Sequence, residues 1–131
     1  MSSEASMVAV NRTRGLRLAS SVRVAKTHWS RLRGLIGTSE SEFQSGCGLW
    51  IVPCRGVHTF AMRFPLDLVY LDRGGCVVGV FPNVRPWRVA PVRMTAASVL
   101  ELPPGAIATS ATKAGDRIEM LTMQSGRGDV A

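Results

Sequence analysis

The chain has no long apolar run. No segment approaches the roughly twenty consecutive apolar residues that a membrane helix needs. The run near the start, Met7 to Val10, is too short for the core of a signal peptide. Membrane insertion and export are therefore not expected, and the protein reads as cytoplasmic. Histidine is almost missing, with His28 and His58 the two examples, so the paired-histidine metal motif of a cupin cannot be assembled. Cysteine numbers three, an odd count that suits reduced thiols better than a disulfide framework. Cys47, Cys54 and His58 also lack the C-x2-C pair and the second histidine cluster of a zinc site. Neither a metal nor a cofactor is expected. Lysine is nearly absent as well: of sixteen basic residues only Lys26 and Lys113 are lysines.

What remains is an arginine-rich globular composition. With 131 residues, 46% of them hydrophobic and 19% charged, the chain can bury one core and no more. The net charge of +7 raises the possibility of nucleic-acid binding by phosphate neutralisation. The basic residues are nevertheless dispersed from Arg12 to Arg127 without a cluster, which favours a solvated surface over a phosphate-binding face. One domain over residues 13–123 is expected, with a frayed segment at 1–12 and a polar, glycine-containing tail at 124–131.

Short apolar stretches punctuated by glycine and proline predict an all-β domain. The predicted strands are Leu49 to Val52, Val57 to Met62, Leu66 to Leu71, Cys76 to Phe81, Ala97 to Leu102 and Arg117 to Met123. Asp72-Arg73-Gly74-Gly75 between two of them reads as a hairpin turn, because glycine supplies the positive φ that a tight turn requires. One helix is predicted over Thr27 to Gly37, with Thr27 as its cap and Trp29, Leu32 and Ile36 on one face. Gly34 within it costs about 1 kcal/mol relative to alanine.

Residues 47–72 are the densest in chemistry. In an extended Val57 to Met62, alternation places His58, Phe60 and Met62 on one face and Thr59, Ala61 and Arg63 on the other. His58 is then either a core-edge histidine bonded to backbone or an acid, base or ligand. Asp67 lies in an apolar run, where a carboxylate needs a cation or several hydrogen-bond donors. It serves there as a structural cap for backbone amides or as the orienting partner of a His58-Asp67 dyad. Cys54, four residues before His58, becomes a nucleophile only if the fold joins thiol and imidazole. In Asn83 to Arg88, Trp87 stands between Arg85 and Arg88, a combination able to stack on a planar ligand and hold an anion.

The ordered series Arg33-Gly34-Leu35, Gly48-Leu49-Trp50, His58 to Met62, Pro65-Leu66-Asp67, Val69 to Asp72, Gly75, Leu100-Glu101-Leu102, Gly105 and Gly115-Asp116 resembles the uncharacterised bacterial and archaeal family known as domain of unknown function 192. The resemblance runs from about Gly15 to Met120. It implies a compact jelly-roll-like sandwich or barrel, mainly β with one short helix, and no established activity.

The leading expectation is a small domain that binds a small molecule or a protein partner in a pocket near His58 and Asp67, with Met62, Arg63, Arg85 and Trp87 as ligand-binding residues. The alternatives are a hydrolase or transferase using His58 and Asp67, with or without Cys54, and a basic nucleic-acid-binding protein.

Overall fold

The computed structural model describes residues 6–26 and 40–122. The predicted helix over Thr27 to Gly37, with His28, and the tail at 124–131 lie outside the described residues. Among the described residues seven strands form one sheet: β1 (Met7–Asn11), β2 (Leu16–Ala25), β3 (Cys47–Ile51), β4 (Leu66–Leu71), β5 (Val77–Val84), β6 (Ser98–Leu102) and β7 (Ile118–Thr122), with a short helix, α1 (Ala106–Ser110), between the last two strands. Their order across the sheet is β5-β4-β6-β3-β2-β1-β7, and the sheet curls into a half-barrel. The all-β expectation holds in its barrel-like form. All pairings are antiparallel except β2 with β3.

The curl explains why the middle strands carry so few exposed side chains. In β4 every residue is buried. Leu66, Leu68 and Tyr70 join Leu49, Ile51 and Val99 in an outer core, packed under the connecting segments with Phe43, Val57, Met62 and Phe64. Val69 and Leu71 face the other way, into an inner core with Ala9, Val22, Leu100, Leu102 and Ile118. A strand buried on both faces reads as a nearly continuous apolar run, as Leu-Asp-Leu-Val-Tyr-Leu does.

Four expectations are corrected. Met7–Asn11, expected to fray, form β1, because β2 and β7 pair with the strand on its two sides. Val57 to Met62 is not a strand: His58 makes one isolated bridge to Val89, and the Met62 amide then closes a turn onto the Thr59 carbonyl at 3.2 Å, with Ala61 at φ 65. Its partner segment contains Pro86 and Pro91, which cannot donate to a regular ladder. Met62 consequently turns into the outer core while His58 and Phe60 stay outside. Finally, β5 runs on through Pro82 to Val84, past the predicted strand end at Phe81. Pro82 is tolerated because β5 is the outermost strand on its side, and the irregular register between Leu66 and Leu68 absorbs Asn83 at φ 54.

The β4–β5 hairpin is as predicted in place and chemistry. Asp72 Oδ1 accepts the amides of Gly74 and Cys76, both at 2.9 Å, and Gly75 adopts φ 90. Beyond this turn the outermost strands approach each other. Cys76 bridges Arg117, the Ile118 amide donates to the Gly75 carbonyl at 2.8 Å, and the Val77 amide donates to the Asp116 carbonyl at 2.8 Å. This seam closes the curl at one end. At the other end α1 projects Ile107 into the inner core.

Candidate functional site

The segments over residues 52–65 and 85–97 cover the outer core as an irregular ribbon. Their backbones are laced by Thr59 amide to Arg88 carbonyl (2.8 Å), Trp87 amide to Thr59 carbonyl (2.9 Å), Ala90 amide to Val57 carbonyl (2.9 Å) and Arg93 amide to Arg55 carbonyl (2.9 Å). Thr59 is the pin. Its side chain is fully buried, its hydroxyl donates to the Arg85 carbonyl at 2.7 Å, and the same oxygen accepts the Arg88 amide at 2.9 Å.

These bonds force the tip of the second segment into a tight loop. Trp87 adopts φ 64, a left-handed conformation that a bulky side chain rarely takes, while its side chain remains 64% exposed. The indole stacks on Phe60, with ring centroids 5.8 Å apart and planes at 24°. Phe60 stacks in turn on His58 at 4.8 Å and 28°. The Nδ1 atom of His58 accepts the Phe60 amide at 3.3 Å, which sets the ring against its neighbour. Three rings from two segments thus form one row. Val89, Val92 and Met94 extend the exposed apolar surface along the second segment.

Of the residues singled out in the sequence, His58, Trp87 and Arg85 belong to this ribbon, and Arg63 is exposed on its first segment. Phe60, which joins His58 to Trp87, was missed as a site residue, although its spacing of two from His58 was visible. Met62 is buried in the outer core. Cys54 directs its thiol to the Gly56 carbonyl at 3.0 Å. Asp67 is fully buried: Oδ1 accepts the Asn83 amide at 2.8 Å, and Oδ2 accepts the amides of Gly105 and Ile107 at 3.1 and 2.9 Å. This is a structural clamp, and its donors come from β5 and the start of α1.

Two further buried groups carry shifted pKa values, and the first of them supports the site from below. Tyr70 donates its hydroxyl to the Pro91 carbonyl at 2.7 Å, tying β4 to the second segment. Burial, then the nearby Cys54 thiol, pushes its pKa up to about 12. The native state therefore holds Tyr70 neutral where an unfolded tyrosine ionises, so its contribution is complete below pH 10 and is lost as the pH rises from 10 towards 12. Between pH 9 and pH 11.5 the urea midpoint of the wild type should fall more steeply than that of Tyr70→Phe, which at neutral pH loses about 1 kcal/mol with its hydrogen bond. Equal slopes would remove Tyr70 as the cause. The second group is Asp116, whose carboxylate accepts Arg14 Nε at 2.9 Å, Asn11 Nδ2 at 3.0 Å and the Lys113 amide at 3.0 Å. The Arg14 guanidinium, with Asn11 and the Lys113 amide, holds its pKa down at about 2.

Comparison with known proteins now places the chain. The model of one family, DUF192, described as "Uncharacterized ACR, COG1430", matches residues 9–120. The chain belongs to this family. A UPF0127 protein of Thermococcus sibiricus is 29% identical over 115 residues, covering 84% of this chain and 72% of its own length. A UPF0127 protein of Thermococcus kodakarensis is 27% identical over 114 residues, covering 83% and 70%. Among solved structures, a protein of unknown function from Novosphingobium aromaticivorans superposes with a TM-score of 0.72 at 20% identity, covering 87% of this chain and 83% of its own. A putative transcription regulator from Sinorhizobium meliloti gives 0.75 at 19% identity, covering 90% and 94%. At these identities the two structures show the fold alone. Within the DUF192 match, several residues that carry the resemblance hold the architecture: Asp67 clamps α1, Gly75 lies at the seam, and Asp116 anchors the β1–β2 turn through Asn11 and Arg14.

Proposed function

We propose that this DUF192 chain is a binding domain, without catalysis of its own, whose binding face is the ribbon carrying His58, Phe60 and Trp87. One observation supports the reading above the others: an exposed indole held at φ 64 by bonds to a buried threonine. Strained backbone that presents a large apolar ring to solvent costs stability and suits a surface prepared for a ligand. The outer face of Trp87 is available for a planar or apolar group, and Arg85 and Arg88 flank it for an anion. Asp67 takes no part, since its carboxylate serves backbone amides.

A planar sulfonate dye, 8-anilinonaphthalene-1-sulfonate, tests the face directly. Its fluorescence should rise saturably with wild-type protein, and Trp87→Ala should weaken binding at least about tenfold, the scale of an exposed aromatic anchor. Leu16→Ala, which trims an exposed apolar residue of β2, should leave dye binding unchanged. Trp87→Gly should bind as poorly as Trp87→Ala while keeping or raising the thermal midpoint, because glycine accepts the left-handed conformation without strain. Dye binding that survives both Trp87 variants would exclude this face.

A further inference from the structure

The composition of the ribbon goes beyond the presence of a binding face and bears on what binds. Residues 52–65 and 85–97 contain Arg55, Arg63, Arg85, Arg88 and Arg93 and not one aspartate or glutamate. All five arginines are exposed, and among the described residues none of them pairs with a carboxylate. Arg93 is held over the Phe81 ring at 5.4 Å, and Arg88 reaches back to the Pro86 carbonyl at 3.4 Å. Between the arginines stand Phe60, Trp87, Val89, Val92 and Met94, all exposed. Where the ribbon's two segments meet the sheet, a surface cleft of about 550 Å³ opens beside Cys54, with Arg55, Arg73, Met94 and Thr95 on its walls. Among the described residues its lining contains no acidic residue either.

We infer that this surface docks an acidic polypeptide segment in which aromatic or aliphatic side chains alternate with carboxylates. The inference rests on the binding face proposed above. Guanidiniums that have no carboxylate partner among the described residues offer two-pronged hydrogen bonds to carboxylates, and the apolar residues between them need partners of their own kind to leave water. A nucleic acid would satisfy the arginines and stack on Trp87, but it has no group for Val89, Val92 and Met94. The cleft between Arg55 and Arg73 has the volume of a small-ligand pocket, room enough for one or two side chains of the segment.

A fluorescein-labelled random copolymer of glutamate and tyrosine serves as the probe, followed by anisotropy with full-length protein. Saturable binding is expected at about 20 mM salt, falling at least about tenfold by about 300 mM as the charges are screened. Trp87→Ala should weaken it at least about tenfold, and the double variant Arg55→Glu, Arg88→Glu by more, with unchanged thermal midpoints. Polyglutamate without tyrosine should bind distinctly less well than the copolymer. The inference is overturned if polyglutamate binds as tightly as the copolymer and ignores Trp87→Ala. It is equally overturned if single-stranded DNA, or phosphatidylserine vesicles, bind more tightly than the copolymer at the same salt. Dye binding without copolymer binding removes the acidic partner and leaves the face intact, whereas loss of both removes the face as well.

Discussion

Replacing Asp67 with alanine should destabilise the domain by about 3 to 5 kcal/mol, because three backbone amides lose their acceptor at about 1 to 3 kcal/mol each. Three backbone amides would lose their acceptor together: Asn83 at the end of β5, and Gly105 and Ile107 at the start of α1. The helix has no local remedy. It has five residues, its cap position is Gly105, and no side chain of its own caps its amides. Asp67 does that task from β4, forty residues earlier in the chain. Helices this short owe their existence to tertiary contacts, so α1 should unfold locally even where the sheet persists. Asp67→Asn is informative because it keeps size and turns one of the two acceptor atoms into a donor. One of its two terminal atoms becomes a donor facing a donor, so at least one amide stays unsatisfied and most of the loss should remain. Urea unfolding measures the first effect, and hydrogen exchange at the Ile107 amide measures the second. A loss below about 1 kcal/mol for Asp67→Ala would show that the clamp is not needed.

Gly75→Ala should cost about 2 to 4 kcal/mol, the sum of a strained conformation and a steric clash. At φ 90 a side chain is already unfavourable, and an added Cβ would lie 2.6 Å from the Ile118 carbonyl oxygen. That oxygen is backbone, one residue from the Cys76–Arg117 bridge, and cannot swing away as a flexible side chain would. The seam between the two outermost strands would have to open. Two neighbouring substitutions separate the causes. Gly115→Ala carries a positive φ of 95 with nothing within 4 Å of the added carbon, so it should show conformational strain alone, about 1 kcal/mol. Gly74→Ala meets only Asp72 Oδ1 at 3.6 Å, an ordinary contact, and should lie within about 0.5 kcal/mol of wild type. If thermal midpoints fail to rank Gly75→Ala below Gly115→Ala, the clash at the seam is not real.

These two residues show where sequence reasoning reaches and where it stops. The sequence placed Asp67 among apolar residues and required donors for it, but the donors belong to residues 83, 105 and 107, and no local pattern links them. Gly75 was legible as a turn glycine, because Asp72, Gly74 and Gly75 stand together. Its closeness to Ile118 was not legible, since that depends on how far the sheet curls. Strands β3 to β7 could be read from apolar runs bounded by turn residues. β1 and β2 could not: Leu16–Ala25 leaves half its residues exposed, and Met7–Asn11 holds its place by pairing with β7, more than a hundred residues away. Val57 to Met62 failed in the opposite sense, for its apolar alternation is genuine but its partner segment is interrupted by prolines. The candidate site was legible by composition, through Trp87 between arginines and a lone histidine. The row joining them was not, because Phe60 reaches Trp87 only after the chain turns at Ala61.

The pairing of β1 with β7 bears on the order in which the molecule can be assembled. Met7 stands opposite Thr122 and Asn11 opposite Ile118, so the first described strand gains its second neighbour only from the last. A chain leaving the ribosome can form the β4–β5 hairpin early, since its strands are separated by one short turn. The outer side of β1 must wait until β7 has emerged, with its backbone donors and acceptors open to any other strand in reach. Closing so large a loop is slow compared with hairpin formation. The vulnerable period for this domain is therefore the interval before β7 emerges, and the vulnerable surface is the edge that β7 finally covers.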